Sequence, residues 1–298
     1  MQKLAEVLQQ ASENKVAVGH FNIADLVLLK AVFGAAQELK VPVLVGASEG
    51  ERAFMGVRQV AVLVRSLRDE FDYPIFLNAD HTHTLAKGVE AAKAGFDSIV
   101  FDLSALPFAE NVKQTREAVK ILKDINPDMI IEGEIGDIGT GSEIHDKAPD
   151  LAKGLTPPSQ AKEFVEATGI DALAPAVGNM HGLLKSMLDG TTKKRLDLAR
   201  IAEIKQATHK PLTLHGGSGT NDDDLRQAIR SGITVVHINT ELRVAWRHGL
   251  EQGLAKDRED VVPYKILPFA VDAVQEVVLS RLRIFNMLDA SRSAAQAS

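Results

Sequence analysis

A histidine followed at once by a glycine-rich turn is the part of this sequence best suited to chemistry. An apolar run at 211–214 ends on His215, the turn Gly-Gly-Ser-Gly fills 216–219, and helical features begin near Asn221. Histidine binds divalent metals, and the free N–H groups of a glycine turn leading into a helix favour a phosphate. The stretch therefore predicts a metal ligand beside a phosphate site. A plain strand–turn–helix connection is the alternative, because short glycine motifs recur by chance.

Composition limits which classes of function remain open. The 298-residue chain is 45% hydrophobic and 25% charged, and its net charge of −6 provides no overall basic field for nucleic acid. It contains no cysteine, so a zinc site would need His, Asp and Glu ligands. No apolar run reaches the roughly 18 residues of a membrane span, and the first residues lack a signal-peptide pattern. We therefore expect a cytoplasmic protein that binds neither nucleic acid nor membranes.

Short apolar segments alternate with helical ones along the chain. Strands are predicted at 16–22, 41–48, 74–81, 98–102, 129–134, 170–174, 211–215 and 233–238. Helices are predicted at 4–11, 26–39, 57–71, 84–94, 107–124, 159–168, 196–208, 222–231, 241–254 and 268–287. Mostly continuous apolar strands separated by helices indicate a parallel sheet.

Eight strand–helix units predict an α/β fold of the (β/α)8 TIM barrel type, with an extra N-terminal helix and an extra C-terminal helix. A doubly wound open sheet is the alternative. No low-complexity linker divides the chain, so residues 1–298 are expected to form one domain, with residues 290–298 as a frayed tail.

In such a barrel, the residues at the C-terminal ends of the strands form the active site. Polar residues stand at that position in every predicted unit, and the full set is improbable as chance. The set comprises Asn22, Ser48, Asp80 with His81, Asp102, Glu134, His181 in the loop after strand 6, His215, and Asn239 with Thr240.

Three of these residues, His81, His181 and His215, can hold a zinc ion with one or two positions open, which is typical of a catalytic site. Their spacing matches no local zinc motif, so this interpretation depends on the predicted fold. His83 is an alternative to His81, because residues two apart at a strand exit tend to face the same side. We favour His81 because it adjoins Asp80. The other histidines are expected to be surface or packing residues, namely His20, His145, His209 and His248.

Four segments make the sequence resemble the class II, metal-dependent ketose-bisphosphate aldolases, the fructose- and tagatose-bisphosphate aldolase family. They are 78–81, 101–104 with Pro107, Phe108 and Asn111, 178–182, and 215–219. Segments 131–136 and 240–242 add weaker support. The resemblance extends from Asn22 to the last helix, and the order of its histidine and glycine segments makes it specific.

The resemblance implies a role for each matching residue. The three histidines match the catalytic metal ligands, and Asp80 matches the acid/base at the substrate hydroxyl. Asp102 and Glu134 match carboxylates that hold the metal in a second, withdrawn position. Residues expected to bind the substrate or its phosphate are Asn22, Ser48, Gly182, Lys185, Gly216, Ser218, Asn239 and Thr240.

These roles imply zinc-dependent, reversible cleavage of a ketose 1,6-bisphosphate, fructose or tagatose bisphosphate, to dihydroxyacetone phosphate and glyceraldehyde 3-phosphate. The metal would stabilise the enediolate as a Lewis acid, while Asp80 takes the proton of the C4 hydroxyl. The cofactor expected is Zn²⁺, with Co²⁺ or Mn²⁺ able to replace it. A monovalent cation near the phosphate site is a further candidate. The expected assembly is a homodimer or homotetramer.

Two departures from the family leave points open. The loop after strand 5 is one residue longer than usual and carries a single glutamate, Glu143, which is the candidate for exchanging the C3 proton. We expect residues 136–154 to form a mobile lid, with a surface loop and a solvated Glu143 as the alternative. Glu132 and His145 are the next candidates for the proton carrier. His237 stands where relatives often have asparagine, which leaves the exact substrate open.

Other activities fit the same residues. Candidates for binding the second phosphate are Arg243, Arg281 and Arg283. The chain could instead cleave another phosphorylated or unphosphorylated hydroxyketone, such as a deoxy-keto-sugar acid phosphate. A non-catalytic sugar-phosphate-binding barrel is disfavoured, because it would be expected to lack part of the acid/base or metal set.

Overall fold

Eight parallel strands close into a barrel in the computed structural model, which describes residues 2–139, 141, 143–146, 154–188 and 191–288. Each strand pairs with its neighbours in the chain, and the first pairs with the eighth to complete the ring. The prediction of a (β/α)8 barrel is therefore confirmed. The strands are β1 Val18–Asn22, β2 Val43–Ala47, β3 Ile75–Thr82, β4 Ser98–Phe101, β5 Ile130–Ile135, β6 Ala172–Pro175, β7 Leu212–Leu214 and β8 Ile233–Ile238.

Helices surround the barrel and lie close to their predicted positions. They are α1 Leu4–Asn14, α2 Leu26–Leu39, α3 Glu49–Met55, α4 Val57–Phe71, α5 Leu85–Ala94, α6 Phe108–Ile125, α7 Pro158–Thr168, α8 Lys185–Leu188, α9 Leu198–Thr208, α10 Asp222–Ser231, α11 Thr240–Lys256, α12 Pro263–Ile266 and α13 Pro268–Phe285. The sequence did not predict α3, which begins with a capping box between Ser48 and Glu51 rather than with an apolar period. The short α8 and α12 were also not predicted.

The N-terminal helix closes one end of the barrel. Leu4, Val7 and Leu8 of α1 pack with Leu44 and Phe76, which point into that end from the strands. Outside the barrel, next to β1, α13 packs against α2 and α11. With the N-terminal end sealed by apolar side chains, the C-terminal ends of the strands form the accessible mouth.

Part of the loop after β5 pairs with the loop after β6. Ile144–His145 forms a short parallel ladder with Leu183–Leu184. The predicted lid at 136–154 includes residues 140, 142 and 147–153, and the predicted tail is 290–298; all of these lie outside the described residues. None of the described helices is long and apolar enough to cross a membrane. The assignment of the whole chain to one domain stays a prediction.

Candidate metal and substrate site

Distortion of β3 positions the first histidine of the site. The pairing of β3 with β4 shifts register between Ala79 and Thr82, and His81 within this irregularity adopts a left-handed backbone with φ 37°. A bulge of this kind re-aims side chains at the rim of a barrel, and a non-glycine residue in this region is strained. His81 consequently points toward the centre of the mouth, whereas His83 is 55% exposed and lies outside the histidine cluster.

The rings of His81, His181 and His215 meet at one point. Nε2 of His81 lies 3.1 Å from Nε2 of His181 and 3.1 Å from Nδ1 of His215. The three ring planes are steeply inclined to one another, by 72°, 79° and 87°. Zinc–nitrogen bonds of about 2.0–2.1 Å would hold such nitrogens about 3.3 Å apart in a tetrahedral site, close to the separations observed.

Each of these rings has a fixed partner on its outer nitrogen. Nδ1 of His81 lies 2.9 Å from a carboxylate oxygen of Asp102, and Nε2 of His215 lies 2.7 Å from Glu132. Nδ1 of His181 lies 2.8 Å from the carbonyl oxygen of Gly139. Because each partner is an acceptor, each outer nitrogen carries a proton, and neutral rings would turn three lone pairs toward one another. A divalent metal can bind all three lone pairs at once, so the donor set fits such an ion.

The acid–base properties of the three rings differ. Burial lowers the pKa of His181 to about 4 and holds the pKa of His215 well below its usual range, with the charge of His81 adding to both effects. Burial also disfavours the charged form of His81, but Asp80, Asp102 and Glu134 outweigh it and raise its pKa to about 10. His81 is therefore the ring on which a proton competes with a metal.

Asp102 and Glu134 lie beside the histidine cluster. Asp102 Oδ1 accepts hydrogen bonds from the hydroxyl of Ser104 at 2.7 Å and from its backbone N–H at 3.0 Å. Glu134 Oε2 is buried without a hydrogen-bond partner among the described residues, 3.6 Å from Nδ1 of His215. Burial, with the nearby charge of Asp102, raises the pKa of Glu134 well above its usual range. A buried carboxyl group with one oxygen free of hydrogen bonds from the described residues is suitable at this place as a further metal ligand once it is deprotonated.

Asp80 lies between the histidine cluster and a cavity at the barrel mouth. Its Oδ2 accepts a 2.8 Å hydrogen bond from the side-chain amide of Asn22. Its Oδ1 makes no hydrogen bond within the described chain, although Nδ1 of His237 lies 3.4 Å away. Burial opposes ionisation, but the charge of His81, with smaller contributions from His237 and His20, holds the pKa of Asp80 well below its usual range. Asp80 is therefore ionised, with one oxygen available to accept a proton.

Two histidines that the sequence did not place in the site form a stack behind it. The His237 ring lies between those of His20, at a centroid distance of 3.4 Å, and His215, at 4.0 Å. His20 is a buried packing residue, while His237 lines the cavity beside Asp80. A period of two could have indicated both, because each stands two positions before a polar strand-end residue, Asn22 or Asn239.

The cavity collects most of the residues predicted to bind substrate. It is lined by Asn22, Asp80, His81, His181, Gly182, Gly216, Ser218, His237, Asn239 and Thr240. The lining includes Asn239 and Thr240 at the start of α11. The N-terminus of α10, by contrast, is capped by the side chain of its own Asn221 and carries three aspartates in its first turn. Anions are disfavoured beside such a cluster. Ser218 Oγ instead accepts from the backbone N–H of Asn239 at 3.3 Å.

Several predicted residues lie elsewhere. Ser48 and Glu143 line the wider outer part of the mouth, together with His83 and Arg243. Lys185 is outside both cavities; its side chain is 70% exposed and lies 2.6 Å from Asp146. Among the arginines, Arg281 is bound by Glu241 and Asp222, and Arg283 faces Glu38 at 3.8 Å.

Comparison with known proteins agrees with this geometry. The family model described as "Fructose-bisphosphate aldolase class-II" matches residues 2–290. The chain is 34% identical over 296 residues to a fructose-bisphosphate aldolase of Geobacillus stearothermophilus, covering 98% of each chain. It is 34% identical over 286 residues to that of Staphylococcus aureus (strain Mu50 / ATCC 700699), covering 95% of this chain and 96% of the relative.

A solved structure shows the same fold. The crystal structure of the YdjI aldolase from Escherichia coli K12 superposes with a TM-score of 0.77 at 26% identity, covering 95% of this chain and 96% of that one. Since the family match spans nearly the whole chain and the barrel mouth carries a metal-competent histidine cluster, the protein belongs to the class-II fructose-bisphosphate aldolase family and is an aldolase, a carbon–carbon lyase.

Proposed function

We propose that the protein catalyses the reversible aldol cleavage of a ketose 1,6-bisphosphate, fructose or tagatose bisphosphate, to dihydroxyacetone phosphate and glyceraldehyde 3-phosphate. The observation that carries this proposal is the position of Asp80, an ionised carboxylate next to both the histidine cluster and the cavity. Relatives named as fructose-bisphosphate aldolases support the substrate class.

A divalent metal, zinc in our proposal and replaceable by Co²⁺ or Mn²⁺, would be held by His81, His181 and His215 and would act as a Lewis acid on the ketose carbonyl. Asp102 and Glu134 would bind it in a withdrawn position. The outer-nitrogen partners of the three rings keep the ligands oriented.

Each residue of the site has a separate role in the proposed reaction. Asp80 accepts the proton of the C4 hydroxyl as the C3–C4 bond breaks, and Asn22 orients Asp80 through its hydrogen bond. Gly182, Gly216, Ser218, Asn239 and Thr240 bind the C1 phosphate, with the N-terminus of α11 favouring its negative charge. Glu143, in the outer mouth with Ser48, delivers the proton to C3. Lys185 would contact the substrate only after movement of the loop that follows β6.

The proposal includes a cytoplasmic location and a homodimeric or homotetrameric assembly. A retro-aldol assay tests the reaction. The metal-loaded enzyme should release dihydroxyacetone phosphate from fructose or tagatose 1,6-bisphosphate, and a chelator should abolish the release. Turnover that persists after chelation, or that occurs only with unphosphorylated hydroxyketones, would contradict the proposal.

A further inference from the structure

Lys194 is a buried cation that the proposed reaction does not use. It is 3% exposed, and Nζ donates hydrogen bonds to three backbone carbonyl oxygens: Met180 at 2.7 Å, Gly182 at 2.7 Å and Gly216 at 2.9 Å. Within the described residues, no carboxylate lies at ion-pair distance from Nζ. The acid that acts on it is Glu241, which is itself bound by Arg281. All three hydrogen bonds of the ammonium therefore go to main-chain oxygens.

Those carbonyls belong to the two loops that carry metal ligands. Met180 and Gly182 flank His181, and Gly216 follows His215. The backbone of Lys194 is attached to the same region, because its N–H donates to the carbonyl of Gly219 at 2.9 Å. One side chain thus joins the loop after β6 to the turn after β7.

The same three peptide groups are held on their opposite sides. The N–H of His181 donates to the carbonyl of Ile138 at 3.0 Å, that of Leu183 to Glu143 at 2.8 Å, and that of Gly217 to His237 at 3.0 Å. A cation at the carbonyl end polarises each peptide and strengthens the hydrogen bond at its N–H end. Lys194 is therefore linked through the main chain to the proposed proton carrier and to β8.

We propose that the ammonium of Lys194 is a built-in monovalent cation, a positioning group that fixes the phosphate-binding glycines and the His181 loop and makes a free K⁺ or Na⁺ ion unnecessary at this place. The proposal rests on the proposed function only in assigning a phosphate to the cavity. Several carbonyl oxygens around one positive charge are the surroundings in which proteins hold K⁺. The monovalent cation expected near the phosphate site is, in this view, supplied by the chain.

Burial of the Lys194 ammonium explains why this charge favours the binding of an anion nearby. Loss of solvation lowers the pKa of Lys194 to about 7, and the attraction of Glu241 only partly opposes this. A buried ammonium without a contacting counter-ion is unfavourable until a negative group approaches. A phosphate in the adjoining cavity, which Gly182 and Gly216 line, provides that group.

Replacement of the lysine with chemical rescue tests the proposal. Binding of inorganic phosphate to the zinc-loaded enzyme is measured by calorimetry in tetramethylammonium chloride and, at equal ionic strength, in KCl or NH4Cl. The parent enzyme should bind equally in all three salts. Lys194→Ala, which opens the carbonyl cage, should bind phosphate about tenfold more weakly in tetramethylammonium chloride and recover in KCl or NH4Cl. The melting temperature of Lys194→Ala should also rise when K⁺ replaces tetramethylammonium, because K⁺ binds the folded protein.

Two further variants serve as controls. Lys194→Met fills the space without a charge, so its phosphate affinity should fall and no small cation should restore it. Lys193→Ala, at an exposed neighbour, should bind phosphate as the parent does. Unchanged phosphate affinity in Lys194→Ala, or a loss that no small cation restores, would overturn the proposal. A parent enzyme that itself needs K⁺ to bind phosphate would also overturn the proposal. That measurement does not depend on the folding of any variant. If the parent bound no phosphate, the proposed function would fail, while the K⁺-dependent melting of Lys194→Ala would still decide the role of Lys194.

Discussion

Glu132 accepts a 2.7 Å hydrogen bond from Nε2 of His215 in the buried floor of the site. Thr213 donates to the other oxygen of the same carboxylate, so that both oxygens are engaged. The hydrogen bond between Glu132 and His215 fixes the tautomer of His215 and turns its Nδ1 toward the rings of His81 and His181. Carboxylate–histidine–metal arrangements of this kind raise the basicity of the ligand and set its orientation.

Removal of this carboxylate should weaken metal binding. Glu132→Ala is expected to lower zinc affinity by about 10–100-fold, because His215 loses the partner that orients it. Competition with a chromogenic chelator measures the change, with Glu117→Ala on the exposed face of α6 as the matched control. A variant with parental zinc affinity would show that Glu132 serves packing alone.

Metal binding should release a proton from His81. Its pKa of about 10 means that this ring is protonated at pH 7 before the metal binds, whereas His181, with a pKa of about 4, is already neutral. Below about pH 10, the proton therefore competes with zinc, and affinity should rise about tenfold per pH unit between pH 5 and 9. Calorimetry in buffers of different ionisation enthalpy should count close to one proton released per zinc ion. No release at pH 7 would contradict this assignment.

Loss of the proposed base should affect turnover rather than metal binding. Asp80→Asn is expected to retain zinc and to reduce kcat by roughly 10²–10⁴-fold, since a positioned proton acceptor contributes about that much. Zinc content is measured by elemental analysis alongside steady-state kinetics. If only KM changed, Asp80 would be a binding residue and the proposed mechanism would be wrong.

The phosphate end of the cavity should control substrate affinity. Ser218→Ala is expected to raise KM for a phosphorylated ketose about 3–10-fold with little change in kcat, because one polar contact to the phosphate is lost. Ser66→Ala, on the exposed surface of α4, is the control. Equal KM values in Ser218→Ala and the parent would place the phosphate elsewhere.

Glu143 should carry the C3 proton. Glu143→Gln is expected to exchange the corresponding proton of dihydroxyacetone phosphate with heavy water at least about 100-fold more slowly, with its zinc retained. Nuclear magnetic resonance measures the exchange. Parental exchange in this variant would move the role to another residue, and His145, in the same short ladder, would be the next to test.

The sequence was sufficient to predict the barrel and the position of its chemistry. Continuous apolar strands of regular spacing admit few topologies, and a closed parallel barrel brings all its strand ends to one mouth. His81, Asp80 and His215 could therefore be assigned to one site although 134 residues separate the two histidines. The sequence could not place the loop residue Lys185 relative to the cavity, because loop conformation does not follow from hydrophobic periodicity.

Features that depend on packing between distant segments were decided only by the tertiary structure. The stack of His20, His237 and His215 arises from the register of β1 with β8, which no local pattern specifies. The burial of Lys194 against carbonyls of two other loops is likewise invisible in the sequence, where it is one lysine in a polar run. Side-chain periodicity indicates which face of an element is buried, whereas the partner across that face is fixed only when the barrel closes.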